Sequence, residues 1–252
     1  PTRILDVGLS DDLSKNSVKL SELSNVSAQY VCLSHCWGTV RVITTTRQTL
    51  AARCQGIPWE SLPKTFQDAI TYTRRLGLRY LWIDSLCILQ DDREDWRRES
   101  ALMAAIYKNS YITLAATKSP DVQYYVHERI FHFDWRAGFD DAANPLRTRA
   151  WAYQGRLLSP RVLHFCAQEL AWECQETTQC ECLYSERLRA TRCTPNLVSL
   201  WRYLVEEYSG LRLLEKSDRL PAIAGLAAHI ATYKPGKYLA GLWGDSIYED
   251  ML

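Results

Sequence analysis

The stretch LRYLWID, residues 78–84, is apolar at almost every position and has helical patterns on both sides. A strand that alternates apolar and polar residues shows one face to water. One that is apolar throughout is buried on both faces, as in parallel sheets wrapped by helices. The flanks agree. Upstream, a helix starting near Pro63 sets Phe66, Ala69, Ile70 and Thr73 on one face and stops at Gly77. Downstream, REDWRRESALMAAIYKNS (93–110) is amphipathic at a helical period and runs into another strand, YITLAAT (111–117). Residues 2–7 and QYVCLS, within 28–34, also read as strands, and TTRQTLAARCQG (45–56) as a helix closed by Gly56. The alternation implies an α/β fold, a parallel sheet flanked by helices.

The rest of the chain is expected to decorate that sheet. Residues 120–145 read as irregular, and SPRVLHF and ELAWEC (159–174) as a pair of strands, an added β-hairpin. CTPNLVSLWRYLVEEYSG (193–210) and SDRLPAIAGLAAHIATY (217–233) read as C-terminal helices, the second capped by Ser217 or Asp218. A single domain over 1–252 follows: a βαβ core (1–120), an irregular and β insert (121–192) and a helical part (193–252). The junctions near 120–125 and 189–193 and the end at Leu252 read abruptly, as if neighbouring segments were missing.

Several classes of partner are not expected. The net charge is +1, with no basic stripe interleaved with aromatics, so nucleic acid is not the default ligand. No apolar run reaches the roughly 18 residues that span a bilayer, and PTRILDVGLS has no signal-peptide core, so no membrane role is expected. Nine cysteines, an odd number scattered along a long chain, read as reduced thiols of a cytoplasmic protein. HERIFH (127–132) spaces its histidines five apart, not four as on a zinc helix, and CQETTQCEC (174–182) lacks a paired CxxC, so no metal is expected.

In open parallel sheets, ligands bind beyond the carboxyl ends of the strands. One such end is VCLSHCWG, which offers Ser34, His35, Trp37 and Gly38. Its Cys36-Trp37 pair resembles the nucleophile of papain-type proteases. Here, however, the cysteine follows a strand instead of opening a helix that would lower its pKa. The second end is IDSLCILQDD, with Asp84, Ser85, Cys87, Gln90 and Asp91. Asp84 is either a helix cap or a site carboxylate; Asp92 reads as a cap. Glu99 falls on the inward arc of its helix with Trp96, Ser100, Met103, Ile106 and Tyr107. A carboxylate there must be paired, protonated or used, so it is a structural ion pair or a site group. LRTRAWAYQGRLLSPRVLHF (146–165) sets Arg147, Arg149, Arg156 and Arg161 around Trp151 and Gln154, which suits anion recognition or pairing with buried acids.

Taken together, YVCLSHCWG, LRYLWIDSLCILQDDREDWRRESALMAAIYKNS and RAWAYQGRLLSPRVLHF resemble the three blocks of the fungal heterokaryon-incompatibility (HET) domain. PTRILDVG and SDRLPAIAGLAAHIATYKPGKYLAGLW also fit, so the resemblance covers most of the chain. It implies a cytoplasmic protein of a filamentous fungus, in a family that triggers cell death on non-self recognition. It also implies a remote kinship with TIR domains, hence a flavodoxin-like sheet and cleavage of NAD at the nicotinamide–ribose bond. Ser34, Trp37 and Gly38 match the first block; Asp84, Cys87, Gln90, Met103 and Tyr107 the second, with Glu99 at an often acidic position; Arg149, Trp151, Gln154, Ser159 and Arg161 the third. The chain departs from the family's R-G-W-x-x-Q-E at Ala150 and Gly155, so a family carboxylate is missing.

Breaking an N-glycosidic bond builds oxocarbenium character, which a nearby carboxylate stabilises. The resemblance therefore casts Glu99, then Asp84, in that role. Arg149 or Arg161 would hold the pyrophosphate and Trp37 or Trp151 would stack on a ring, with His35, Cys87, Gln90, Asp91 and Gln154 completing the walls. NAD would be substrate, with no cofactor required. Two alternatives stay open: a repurposed biosynthetic enzyme acting on a secondary metabolite, and a non-catalytic module that self-associates or recruits a signalling partner.

Overall fold

In the computed structural model, residues 1–9, 18–22, 27–38, 42–119, 144–166, 170–180, 197–233 and 236–250 are described. Ten strands occur among them: β1 (Arg3–Asp6), β2 (Lys19–Glu22), β3 (Tyr30–Ser34), β4 (Tyr80–Trp82), β5 (Ile112–Ala115), β6 (Arg161–Phe165), β7 (Leu170–Cys174), β8 (Thr178–Cys180), β9 (Tyr238–Leu239) and β10 (Leu242–Trp243). The helices are α1 (Leu50–Gln55), α2 (Lys64–Arg75), α3 (Asp84–Cys87), α4 (Arg93–Lys108), α5 (Ala150–Leu158), α6 (Leu197–Ser209), α7 (Pro221–Ala231) and α8 (Ile247–Asp250).

Eight strands form one sheet in the order β2-β1-β4-β3-β5-β6-β7-β8, and β9 pairs only with β10. The centre is parallel: β3 pairs with β4 and β5, and β5 with β6. Both flanks are antiparallel. β3 and β5 are buried at every residue, which is why their sequences do not alternate. In chain order the parallel strands run β3, β4, β5, β6, but across the sheet they lie β4-β3-β5-β6. The chain leaves β3 in one direction and returns on the other side, so the order reverses between β3 and β5. That is the flavodoxin type of doubly wound sheet.

α2 buries Thr65, Phe66, Ala69, Ile70, Thr73 and Arg74, and ends where Gly77 takes φ 72°, the left-handed conformation that favours glycine. α4 begins at Asp92, whose carboxylate accepts from the backbone N–H of Glu94 and Asp95. Tyr107 and Trp82 pack edge to face at 5.7 Å, so α4 lies on the side of the sheet that Trp82 faces. α7 lies against both α4 and α5. A second apolar cluster forms there, with Tyr153, Trp201, Leu204, Ile223, Leu226 and Trp243 at its centre.

Several expectations are corrected. The strands over 159–174 pair antiparallel as expected, β6 with β7, but within the main sheet: β6 extends the parallel centre and β8 continues beyond β7. The loop after β4 opens with the helical turn α3. Residues 45–49 are not helical: Thr45 bridges to Leu89, and residues 47–49 form a turn that leads into α1. α7 starts with Pro221 at its first turn, and Ser217 and Asp218 lie in an earlier 3-10 turn. Residues 150–158, not expected to be regular, are helix α5. The expected irregular stretch over 120–145 falls mostly outside the described residues, as do the abrupt junctions and His127–His132.

Candidate functional site

Parallel strands put all their carboxyl ends at one edge. Ser34 ends β3, Asp84 follows β4, Thr117 follows β5, and His164 sits near the end of β6. The expected groups gather there in part. The Trp37 indole donates to Asp84 Oδ2 at 3.0 Å, and Asp84 Oδ1 accepts from the N–H of Ser85 at 2.6 Å. The turn 34–38 is thus fastened to the end of β4. Gly38, at φ 67°, lets the chain turn away. His35 is enclosed; its Nε2 lies 3.8 Å from Asp84 Oδ1, its ring meets Phe66 edge on at 5.0 Å, and neither ring nitrogen has a hydrogen-bond partner. Burial pushes its pKa down, Asp84 works against this, and Arg149 adds to it.

The remaining expected residues are engaged elsewhere. Gln90 donates to the carbonyls of Asp84 and Ile88, and Asp91 accepts from the N–H of Arg47. Cys87 is wholly buried, its thiol pushed up to about 12 by that burial. Glu99 is also enclosed: one oxygen accepts from Thr2 and faces Arg98, and the other has no hydrogen-bond partner. Arg149 stands at the N-cap of α5. Trp151 donates to Asp218 and meets Trp96 edge on, Gln154 accepts from the N–H of Gly225, and exposed Arg161 bonds the carbonyl of Tyr111.

A small pocket, its interior holding room for about one water and the rest of its space open to solvent, lies between helix α5 and β5 and β6, with Ser34 at the end of β3 on its wall. This is the point where the strand order reverses, the place at which such sheets bind ligands. Of the expected residues, Ser34 lines it, as do Arg147 and Arg156 of the arginine array. Thr113, Thr117, Tyr153 and His164 supply its other polar groups. His164 Nδ1 is 3.0 Å from Thr117 Oγ1, and its Nε2 is 3.1 Å from Glu173 Oε2. Arg156 holds both oxygens of Glu173, at 2.7 and 3.2 Å. Burial favours the protonated Glu173, but the hydrogen bond from His164 and the charge of Arg156 outweigh it and hold the carboxyl well below its ordinary range. Burial pushes His164 down, partly offset by Glu173, so the ring is neutral at pH 7. Arg147 is pushed down to about 10 by burial, and the like charge of Arg156 adds to this.

The sequence carried signals for these residues. Arg147 and Arg156 belong to the recognised arginine array. Thr117 ends YITLAAT, as Asp84 ends LRYLWID. His164 and Glu173 lie diagonally across the β6–β7 ladder, whose register pairs His164 with Ala171 and Val162 with Glu173. Only the register brings them together.

Gly155 has a packing role. A Cβ there would stand 3.0 Å from Cζ of Tyr107, whose hydroxyl bonds Ser34 on the cavity wall. A glutamate at 155 and the Tyr107 ring compete for one space.

Among the described residues, no group of His, Cys, Asp and Glu is arranged to hold a metal, and no helix is long and apolar enough to cross a membrane. Cys182, in the weighed cysteine cluster, lies outside them.

No curated protein and no solved structure matches the chain. Residues 30–137 match the family model for "Heterokaryon incompatibility protein (HET)". That segment builds β3, β4 and β5, the turn 34–38 and Asp84, and over it the chain is similar to the heterokaryon-incompatibility (HET) family.

Proposed function

We propose that the chain is a HET-type domain of the non-self recognition and cell-death class that works through a small-molecule site at the switch point of its sheet. One observation carries this reading: a cavity where the strand order reverses, bordered by Arg147 and Arg156. Paired arginines favour a carboxylate or a phosphate, and NAD, with its pyrophosphate, is the ligand to try first. If NAD is cleaved at its nicotinamide–ribose bond, Asp84 is better situated than Glu99 to face developing charge. It is a quarter exposed at the same sheet edge, whereas Glu99 is closed off by Thr2 and Arg98.

The test is the melting temperature with and without NAD, alongside chromatography of free nicotinamide. NAD is expected to raise the melting temperature of the natural chain but not of Ala152→Phe, which fills the cavity. Nicotinamide release is expected to fall in Asp84→Asn and persist in Glu99→Gln. No thermal shift and no nicotinamide from the natural chain would overturn the NAD reading. A second reading, a repurposed biosynthetic catalyst at the same cavity, draws on Gly155, where the structure gives the space to Tyr107.

A further inference from the structure

We propose that Thr117, His164 and Glu173 form a hydroxyl–imidazole–carboxylate relay in the switch-point cavity, hydrolysing a small ester that carries an anionic group. The inference rests on the reading of that cavity as a ligand site. Its substance is geometric. Thr117 and His164 both line the cavity, and the three side chains are in sequence: Thr117 Oγ1 to His164 Nδ1 at 3.0 Å, His164 Nε2 to Glu173 Oε2 at 3.1 Å. A nucleophile within reach of a base, itself oriented by a third group, is the general form of such sites.

The tautomer follows from charge. Ionised Glu173 accepts, so the ring proton sits on Nε2 and Nδ1 presents its lone pair to Thr117. The Thr117 proton has two acceptors, His164 Nδ1 and the carbonyl of Ala115 at 3.2 Å, and the imidazole is the nearer. A structural His–Glu pair needs neither a hydroxyl beyond it nor an opening onto a cavity. This one has both, at the end of a central strand.

The chemistry balances with water as the one co-reactant. Thr117 Oγ1 attacks the ester carbonyl carbon while its proton passes to Nδ1. The bond to the alcohol oxygen breaks, and the imidazolium returns the proton to the departing alkoxide. Water, deprotonated by the same nitrogen, then cleaves the acyl-threonine to the free acid and restores the hydroxyl. Arg147 and Arg156 border the same space, where they favour an anionic substrate and the negative charge that develops on the carbonyl oxygen.

The full chain is to be assayed with para-nitrophenyl acetate and with its carboxylate-bearing analogue, acetoxy-nitrobenzoate. Hydrolysis of both is expected, faster for the carboxylate. Thr117→Val should lower kcat/KM about a hundredfold or more, and Thr117→Ser should keep most of it. Acid-quenched protein should carry an acetyl group on Thr117 by mass spectrometry, which decides the matter even if Thr117→Val fails to fold. Glu173 acts as a positioning residue, read from the pH profile. Of the charges facing His164, Glu173 on β7 raises its pKa, while Arg156 on α5 and Arg147 just before α5 lower it. In Glu173→Gln the acid limb should therefore move to lower pH.

Full activity in Thr117→Val, an acetyl group lodged elsewhere, or no hydrolysis of either ester would overturn the relay. The two readings fail separately. Ester hydrolysis without an NAD response removes NAD and keeps the cavity. NAD binding without ester hydrolysis removes the relay alone.

Discussion

Asp84 joins two strand ends through one carboxylate, each oxygen holding a different N–H. A hydrogen bond to a charged group is worth about 1.5–3 kcal/mol, and a donor left without its partner adds to the loss. Asp84→Ala is therefore expected to lower stability by about 2 kcal/mol in urea denaturation. Asp84→Asn should lose less, because its carbonyl oxygen still accepts one of the two N–H groups. Equal losses would show that the two bonds are not what the carboxylate contributes. At this scale the sequence was informative where a rule of strand ends applied. Asp84 and the 34–38 turn could be placed at one edge because each follows a buried strand. Glu99 was legible as an inward carboxylate from its helical phase, but its partner Thr2 is 97 residues away, beyond the reach of local periodicity.

Three helices meet at Gly225. A Cβ there would stand 2.2 Å from Cβ of Ala104 and 2.6 Å from the Gln154 side-chain oxygen, which already accepts from the Gly225 N–H. Gln154, expected to touch substrate, ties α5 to α7. Gly225→Ala gains about 1 kcal/mol of helix propensity and meets a clash with the Ala104 Cβ, which its helix holds in place. Overpacking of a tight contact costs about 1–3 kcal/mol, so a net loss of up to about 2 kcal/mol is expected. Adding Ala104→Gly should recover part of it, and a double-mutant cycle with no coupling would refute the crossing. α5 itself was not legible as a helix. Its nine residues include Gly155 and two aromatics, and it is held by what packs on it: Tyr107 over Gly155 and Gly225 against Gln154. A short helix stabilised by tertiary contacts leaves little local signal.

Across the whole molecule, the parallel centre was legible because β3, β4 and β5 are short apolar runs separated by helices. The β6–β7 pair was also legible, but its joining to β5 and the addition of β8 were not, because pairing between distant segments is a property of topology and not of any one strand. The same topology encloses ionisable groups drawn from distant parts of the chain, and their effect on stability runs in one direction. Burial depresses the pKa of His35, where Asp84 opposes and Arg149 reinforces it, and that of His164. The unfolded chain takes up protons near the ordinary histidine value of 6.5 while the folded chain does not, so the stability these histidines allow is complete above pH 6.5 and falls below it. Glu173, held below its ordinary value of 4.5, adds a second loss as pH falls through 4.5. The urea midpoint is therefore expected to decline from pH 7 to pH 5, and more steeply below pH 4.5. His35→Phe removes one titrating group while keeping an aromatic ring beside Phe66, so it should flatten the upper part of that decline and leave the lower part intact. A midpoint that rises on acidification, or an unchanged upper slope in His35→Phe, would show that His35 is charged in the folded chain.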